Sequence, residues 1–487
     1  MHRLAEYMLQ ERLKKDSNKM NFVAKWKEKL IGDRAFYRKV LLIALPMIAQ
    51  NAVTSFVNFL DNIMVGMIGT EQMSGVAIVN QLMFVFNICV FGGVAGAGIF
   101  GTQFFGKGDY KGQRYAFRYK LIVAMVLVVI ALLLGIIAGE ELIQLYLSDS
   151  GSVGDVELTL KYGRQYLAIM LFGLAPFAFS QTYISTIRET GHTLIPMLAG
   201  LAAMGTNLVL DILLIFGLGP IPAMGVQGAA IATVIARFVE FAIVLIWAHT
   251  HKKQNPCIEG LYRSLYIPKG ILKDILITGS PLMLNEVLWA TGMAVIAQCY
   301  AVRGLEVVAA QNISSTITNL FNIVYLQLGC SISIIIGQLL GAGKIEEAKD
   351  TNRKLIFFDV VCCAAMSLVM MVVGRWFPNI YATEESIKEL ARVFILITAF
   401  VLPLNAFCHC CYFTLRSGGK TIVTFLFDSV YTWVLVIPIA TLLAKYTSLS
   451  IEVVFFLVQS VEIVKVILGF FMVKSGVWLQ NIVAEKE

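Results

Sequence analysis

Nine ionisable side chains stand inside stretches that are otherwise apolar: Asp61, Asp211, Arg237, Glu240, Glu286, Asp359, Asp428, Glu462 and Lys465. A charge near the middle of a membrane-spanning helix costs roughly 3 kcal/mol on insertion scales, so each must face a partner, a wet cavity or a transported ligand. Carboxylates in such places suit a proton or a hard cation, which takes oxygen donors. Asn207 precedes Asp211 by four residues and shares its helix face. With Asp61 and Thr233, these residues supply two carboxylates, an amide and a hydroxyl, an oxygen-rich set of the kind a hard cation or a proton needs.

The elements that position them follow from composition. Of 487 residues, 58% are hydrophobic and 15% charged, with a mean hydropathy of +0.75, far from a soluble domain. Segments of ~20 apolar residues fall at 41–66, 74–103, 117–139, 160–188, 193–217, 226–249, 274–300, 307–340, 354–374, 389–415, 420–445 and 449–474. The fold predicted is an all-α integral membrane protein of twelve transmembrane helices. Thirty of the 39 Lys and Arg lie in the tails and even-numbered loops, which sets both termini on the cytoplasmic side. The net charge of +7 thereby follows from topology, and no nucleic-acid partner is expected.

The chain also repeats itself. Pro46, Gly69 and the Gly106-Lys107-Gly108 turn recur as Pro281, Gly304 and Gly341-Ala342-Gly343; Pro176 and Arg188 recur as Pro403 and Arg416. Duplicated membrane segments are a common plan for alternating-access transporters, with the substrate between the halves. The division read from this is a basic tail (1–40), an N-lobe (41–249), a linker (250–273), a C-lobe (274–474) and a C-terminal tail (475–487), the tails and linker cytoplasmic. The 1–40 tail has no continuous apolar core and is not a cleaved signal peptide.

At ~1.5 Å per residue, Asp61 stands ~30 Å and Asp211 ~27 Å from the inner ends of their spans, and Thr233 ~10 Å down from the outer end of its own, so the three meet at one depth. Glu286, ~18 Å into the seventh span, is a candidate for the central cavity and a cationic substrate. Arg237 with Glu240, and Glu462 with Lys465, are spaced as i, i+3 pairs that neutralise themselves. Asp359, ~7 Å from the inner end, is expected to reach water. Met64, Tyr183, Trp289 and Tyr300 offer adaptable walls for lipophilic cations. Pro46 removes a backbone hydrogen bond and is a candidate hinge. Cys408-His409-Cys410-Cys411 fans around its helix and does not converge on a metal; Gly-x-Gly turns follow helices rather than strands, excluding a nucleotide loop. No nucleophile and base pair up, so no enzyme is expected.

Leu45-Pro46, Phe59-Leu60-Asp61-Asn62-Ile63-Met64-Val65-Gly66, Gly69-Thr70, Gly106-Lys107-Gly108-Asp109, Asn207 to Asp211, Gly225 to Thr233 and Leu415-Arg416-Ser417-Gly418-Gly419 together resemble the multidrug and toxic compound extrusion (MATE) family, over residues 35 to 475. The resemblance is to its prokaryotic DinF-like branch, within the MOP flippase superfamily. It implies two six-helix lobes and a coupling-ion site at Asp61, Asn207, Asp211 and Thr233. No cofactor is implied, and no metal beyond Na+ at those residues. Asn405 stands where the NorM-like branch carries a tenth-helix Asp, and Glu286 lies one turn from that branch's seventh-helix Glu. The implied function is Na+- or H+-coupled antiport that exports lipophilic, often cationic, drugs from a prokaryotic inner membrane by a monomer. The alternative is a flippase for lipids or lipid-linked oligosaccharides.

Overall fold

The computed structural model describes residues 29–149, 155–217 and 222–484. Twelve helices among them are long and apolar enough to cross a membrane, and no strand occurs among the described residues. They are α1 (Arg34–Gly66), α2 (Thr70–Lys107), α3 (Tyr110–Ile137), α4 (Val156–Glu189), α5 (Leu194–Phe216), α6 (Val226–Thr250), α7 (Lys269–Ala301), α8 (Leu305–Gly341), α9 (Ile345–Val373), α10 (Glu385–Ser417), α11 (Thr421–Tyr446) and α12 (Ile451–Lys474). The tail expected over 1–40 lies, up to residue 28, outside the described residues.

Side-chain caps and glycine turns set the helix ends. Asp33 accepts a hydrogen bond from the Phe36 amide at 2.7 Å and Asp109 one from the Gly112 amide at 2.8 Å, each satisfying an orphan donor of a first turn. α2 and α8 end at Gly108 (φ 78°) and Gly343 (φ 73°), and the turns after α4 and α10 hold Gly191 (φ 88°) and Gly419 (φ 74°). These left-handed conformations favour glycine. The sequence repeat is therefore also a repeat of backbone conformation.

The proline in α1 leaves the Leu42 carbonyl without its helical donor, and Thr193 Oγ1 donates to it at 3.1 Å. Pro403 in α10 does the same to the Ala399 carbonyl, which Ser367 Oγ satisfies at 2.5 Å. Side chains from neighbouring helices thus re-satisfy the interrupted ladders.

The halves meet at one end, where the Lys- and Arg-rich loops lie. An added Cβ at Gly96 would stand 2.3 Å from Gly279 Cα; one at Gly106 would stand 2.0 Å from the Gln338 carbonyl oxygen, and one at Gly341 1.9 Å from that of Gln103. Backbones of α2, α7 and α8 therefore touch directly. α2 from Val90 and α8 from Leu328 onward are buried almost all round, whereas their opposite halves alternate buried and exposed residues. This basic end is shut.

The chain's last described segment crosses that closure. Gln103 Nε2 donates to the carbonyls of Ser417 and Gln480 at 2.8 and 3.2 Å, and Lys107 Nζ to that of Val483 at 2.9 Å. Asn481 Nδ2 reaches the Gly341 carbonyl at 3.2 Å, and Trp478 is 1% exposed. On the same end, Arg118 donates to the carbonyls of Gly260, Leu261 and Tyr266 at 2.9–3.0 Å, tying the linker beneath α3. The linker's Cys257 is fully buried, which pushes its thiol up to about 12.

Several basic residues counted with the tails and loops belong to helices. Lys120 is fully buried in α3, ion-paired with Glu189 and 3.1 Å from Thr186 Oγ1. Arg188 and Arg416 lie in the last turns of α4 and α10.

Candidate functional site

In the N-terminal half, α1, α5 and α6 bring Asp61, Asn207, Asp211 and Thr233 toward one another. Asp211 is wholly buried. Its two carboxylate oxygens, Asp61 Oδ1 and Asn207 Nδ2 are buried without any hydrogen-bond partner. Asp61 and Asp211 stand within electrostatic reach of each other, so two carboxylates face one space with no cation of the protein paired to either among the described residues. Buried polar atoms are ordinarily satisfied, whereas four orphaned atoms are gathered here. Thr233 spends its hydroxyl proton on the Ala229 carbonyl at 3.0 Å, leaving its oxygen lone pairs free to accept.

Sequence reasoning overlooked Tyr166. Its phenol, 2% exposed, lies 3.3 Å from Asn80 Oδ1, beside Thr233 and within electrostatic reach of Asp61 and Asp211. The chain has 17 tyrosines, and nothing in the spacing singles this one out.

Two adjoining cavities of about 420 and 250 Å³ lie between the halves and share Gln181, Arg188 and Cys330. The larger reaches Asn207, Thr233, Arg237 and Glu240; the smaller, toward the shut end, is bordered by Glu286 and Arg416. Of the aromatic and methionine candidates, none lines either cavity. Tyr183 is 1% exposed, packed on Phe117 and hydrogen-bonded to Tyr262 of the linker. Tyr300 is 3% exposed and packs on Phe455. Met64 packs against the N-half core, and Trp289 is 42% exposed. Asn405 lines neither cavity, and its carbonyl pairs with His409 Nδ1 at 3.2 Å. Pro46 lies one residue from Met47, which borders the smaller cavity.

The i, i+3 pairs do not form within 4 Å. Lys465 pairs instead with Asp428 at 2.8 Å, its ammonium 5.4 Å from the Phe427 ring. Asn285 Nδ2 donates to the other Asp428 oxygen at 3.2 Å, and Asn285 Oδ1 accepts from Ser429 Oγ at 2.7 Å. Arg237 donates to the Gly173 carbonyl at 3.3 Å and lies 5.1 Å from the Phe177 ring, while Glu240 accepts from Ser180 at 3.2 Å. Long-range packing offered better partners than the neighbouring helical turn. Asp359, expected at water, is 1% exposed and accepts from Cys410 at 2.8 Å and Cys363 at 3.4 Å. No metal-binding cluster of three such residues occurs among the described residues.

A single family model, MatE, matches the chain twice, over residues 46–213 and 281–442. The chain belongs to the MATE family. Among curated relatives of this MATE protein, a probable multidrug resistance protein NorM of Thermotoga maritima is 22% identical over 450 residues, 92% of this chain and 95% of the relative. The multidrug export protein MepA of Staphylococcus haemolyticus is 22% identical over 377 residues, 77% and 79% of the two chains. A solved outward-facing MATE family multidrug resistance transporter of the MOP superfamily superposes with a TM-score of 0.81, at 21% identity over 92% of this chain and 97% of that one. This MATE protein is thus a multi-pass membrane transporter and not an enzyme.

Proposed function

We propose that this MATE protein exports lipophilic, often cationic, drugs and toxic compounds in exchange for Na+ or H+. The observation that carries the reading is the partnerless set at Asp61, Asn207 and Asp211 in the N-half, at membrane depth, beside a cavity between the halves.

With the basic end taken as cytoplasmic, the closed α2, α7 and α8 contacts describe an outward-facing carrier. In that state Na+ or H+ enters from outside and cancels one of the two charges that Asp61 and Asp211 present. Neutralisation removes their mutual repulsion and lets α1, α5 and α6 repack around Asp211. Repacking at the Thr233 and Asn207 wall alters the larger cavity and lowers its hold on drug. The emptied carrier then turns inward, and the inward passage of each charge supplies ~2.3 kcal/mol per 100 mV. Pro46 gives α1 a point at which to bend, the Leu42 carbonyl keeping its bond to Thr193.

The test is efflux of a fluorescent lipophilic cation from proteoliposomes under separate Na+ and H+ gradients. Flux that follows one gradient and is lost in Asp61→Asn is expected. Flux driven by neither gradient, or unaltered in the variant, overturns the reading. A second reading, export of a lipid or lipid-linked oligosaccharide by the same rocking, gains from Arg188 and Arg416 at the cavity.

A further inference from the structure

The floor of the cleft carries two cations that the protein does not pair. Arg188 and Arg416 occupy equivalent places in the two halves and border the same 250 Å³ cavity. Neither makes an ion pair within 4 Å among the described residues. The Nε of each is buried with no hydrogen-bond partner. Arg188 spends one terminal nitrogen on Gln50 Oε1 at 2.8 Å, and Arg416 lies 5.8 Å from the Phe413 ring. A guanidinium presents five donors in a fixed fork, and a buried donor left idle is costly.

The carboxylates nearby do not cancel the pair. Glu189 borders the cavity but is ion-paired with Lys120. Glu286 borders it too, within electrostatic reach of Arg416 though not in contact. Glu240, within electrostatic reach of Arg188, also faces Arg237 and accepts from Ser180, so three arginines against two unpaired glutamates leave the cleft cationic. The rest of the wall is mixed: Gln181 and Ser333 offer further donors, and Phe91, Val94 and Ile334 an apolar face.

We propose that Arg188 and Arg416 form a subsite for an anionic oxygen headgroup, a phosphate or carboxylate, on an amphipathic substrate whose apolar part lies along the cleft. Arginine forks match such groups with two parallel charge-assisted bonds. The pair bridges the halves, one arginine from each, so an anion held by both ties the halves together at the shut end. Separation of α4 from α10 splits the subsite and releases the headgroup. A zwitterion or an acidic amphiphile thereby joins the cations as substrate.

The inference rests on the cleft being the transport site, but its test needs no gradient. Full-length protein in neutral maltoside detergent is titrated calorimetrically with octyl phosphate, octyltrimethylammonium and octanol, against protein-free micelles. Octyl phosphate is expected to bind roughly tenfold more tightly than either other probe, the worth of one charge-assisted contact. Arg188→Gln and Arg416→Gln each remove most of that preference, and Arg188→Lys keeps part of it. Inorganic phosphate that displaces octyl phosphate from the wild type but not from Arg188→Gln shows that the headgroup alone is read; failure to displace shows that a lipid-borne phosphate is required, and either supports the subsite. Equal affinity for the three probes overturns the proposal and requires no variant. A preference that survives in the double glutamine variant also overturns it. Indifference to headgroup in a protein that still exports the dye defeats this inference alone; a phosphate preference without gradient-driven export defeats the coupling reading alone.

Discussion

The two halves solve the same electrostatic problem in opposite ways. In the C-half, Asp428 is closed off by Lys465 and Asn285, so its charge is answered from within the protein. In the N-half, Asp61 and Asp211 have orphaned oxygens and no ion pair among the described residues. A buried ion pair is worth little net stability, but a buried charge deprived of its partner is expensive. Duplication therefore left one cluster, at Asp428, that is electrostatically complete and one, at Asp61 and Asp211, that depends on its surroundings. Complete clusters hold a fold; incomplete ones respond to what arrives.

That contrast can be broken most forcefully at Lys465. Lys465→Ala strands Asp428 and is expected to cost about 3–5 kcal/mol, read as a large fall in melting temperature; the double variant Lys465→Met with Asp428→Asn should recover nearly all of it. The N-half should answer in the reverse sense. Asp61→Asn and Asp211→Asn are expected to raise rather than lower the melting temperature, because a neutral amide removes repulsion, while export falls roughly tenfold or more, about 1.4 kcal/mol. Next in size, Asn285→Ala removes one donor from Asp428 and should cost about 1 kcal/mol of stability. The smallest effect is expected of Tyr166→Phe, a roughly threefold loss of export with unaltered melting, since one neutral hydroxyl near the N-half set is removed. Equal behaviour of the two clusters in these measurements would dissolve the comparison.

The spans were legible because hydropathy over twenty residues needs no tertiary information, and the repeat because its Pro and Gly positions carry backbone meaning. Asp61 and Asp211 were legible because a membrane makes any carboxylate conspicuous. Partner choice was not. Lys465 was matched to Glu462 by helical spacing, yet α11 runs through π-helical stretches at Leu426–Val430 and Thr432–Val436, which turn Asp428 by a different increment from an α-helix. The arginines of the cavity were hidden by their position at span ends, where a basic residue reads equally as a loop anchor. Tyr183 and Tyr300 could not be assigned a direction from sequence, because an aromatic ring in an apolar helix fits core, lipid or cavity alike.

The direct backbone contacts at the shut end have an electrical consequence. A membrane carrier holds a voltage only if its closed side passes no file of water, since a water file conducts protons. Where Gly96 meets Gly279 and Gly106 meets Gln338, no side chains intervene to leave gaps, and the barrier is polypeptide rather than solvent. Insulation at this end is thus a property of glycine. A single methyl group there would act as a spacer, and the first sign of it would be a leak current across an otherwise idle protein.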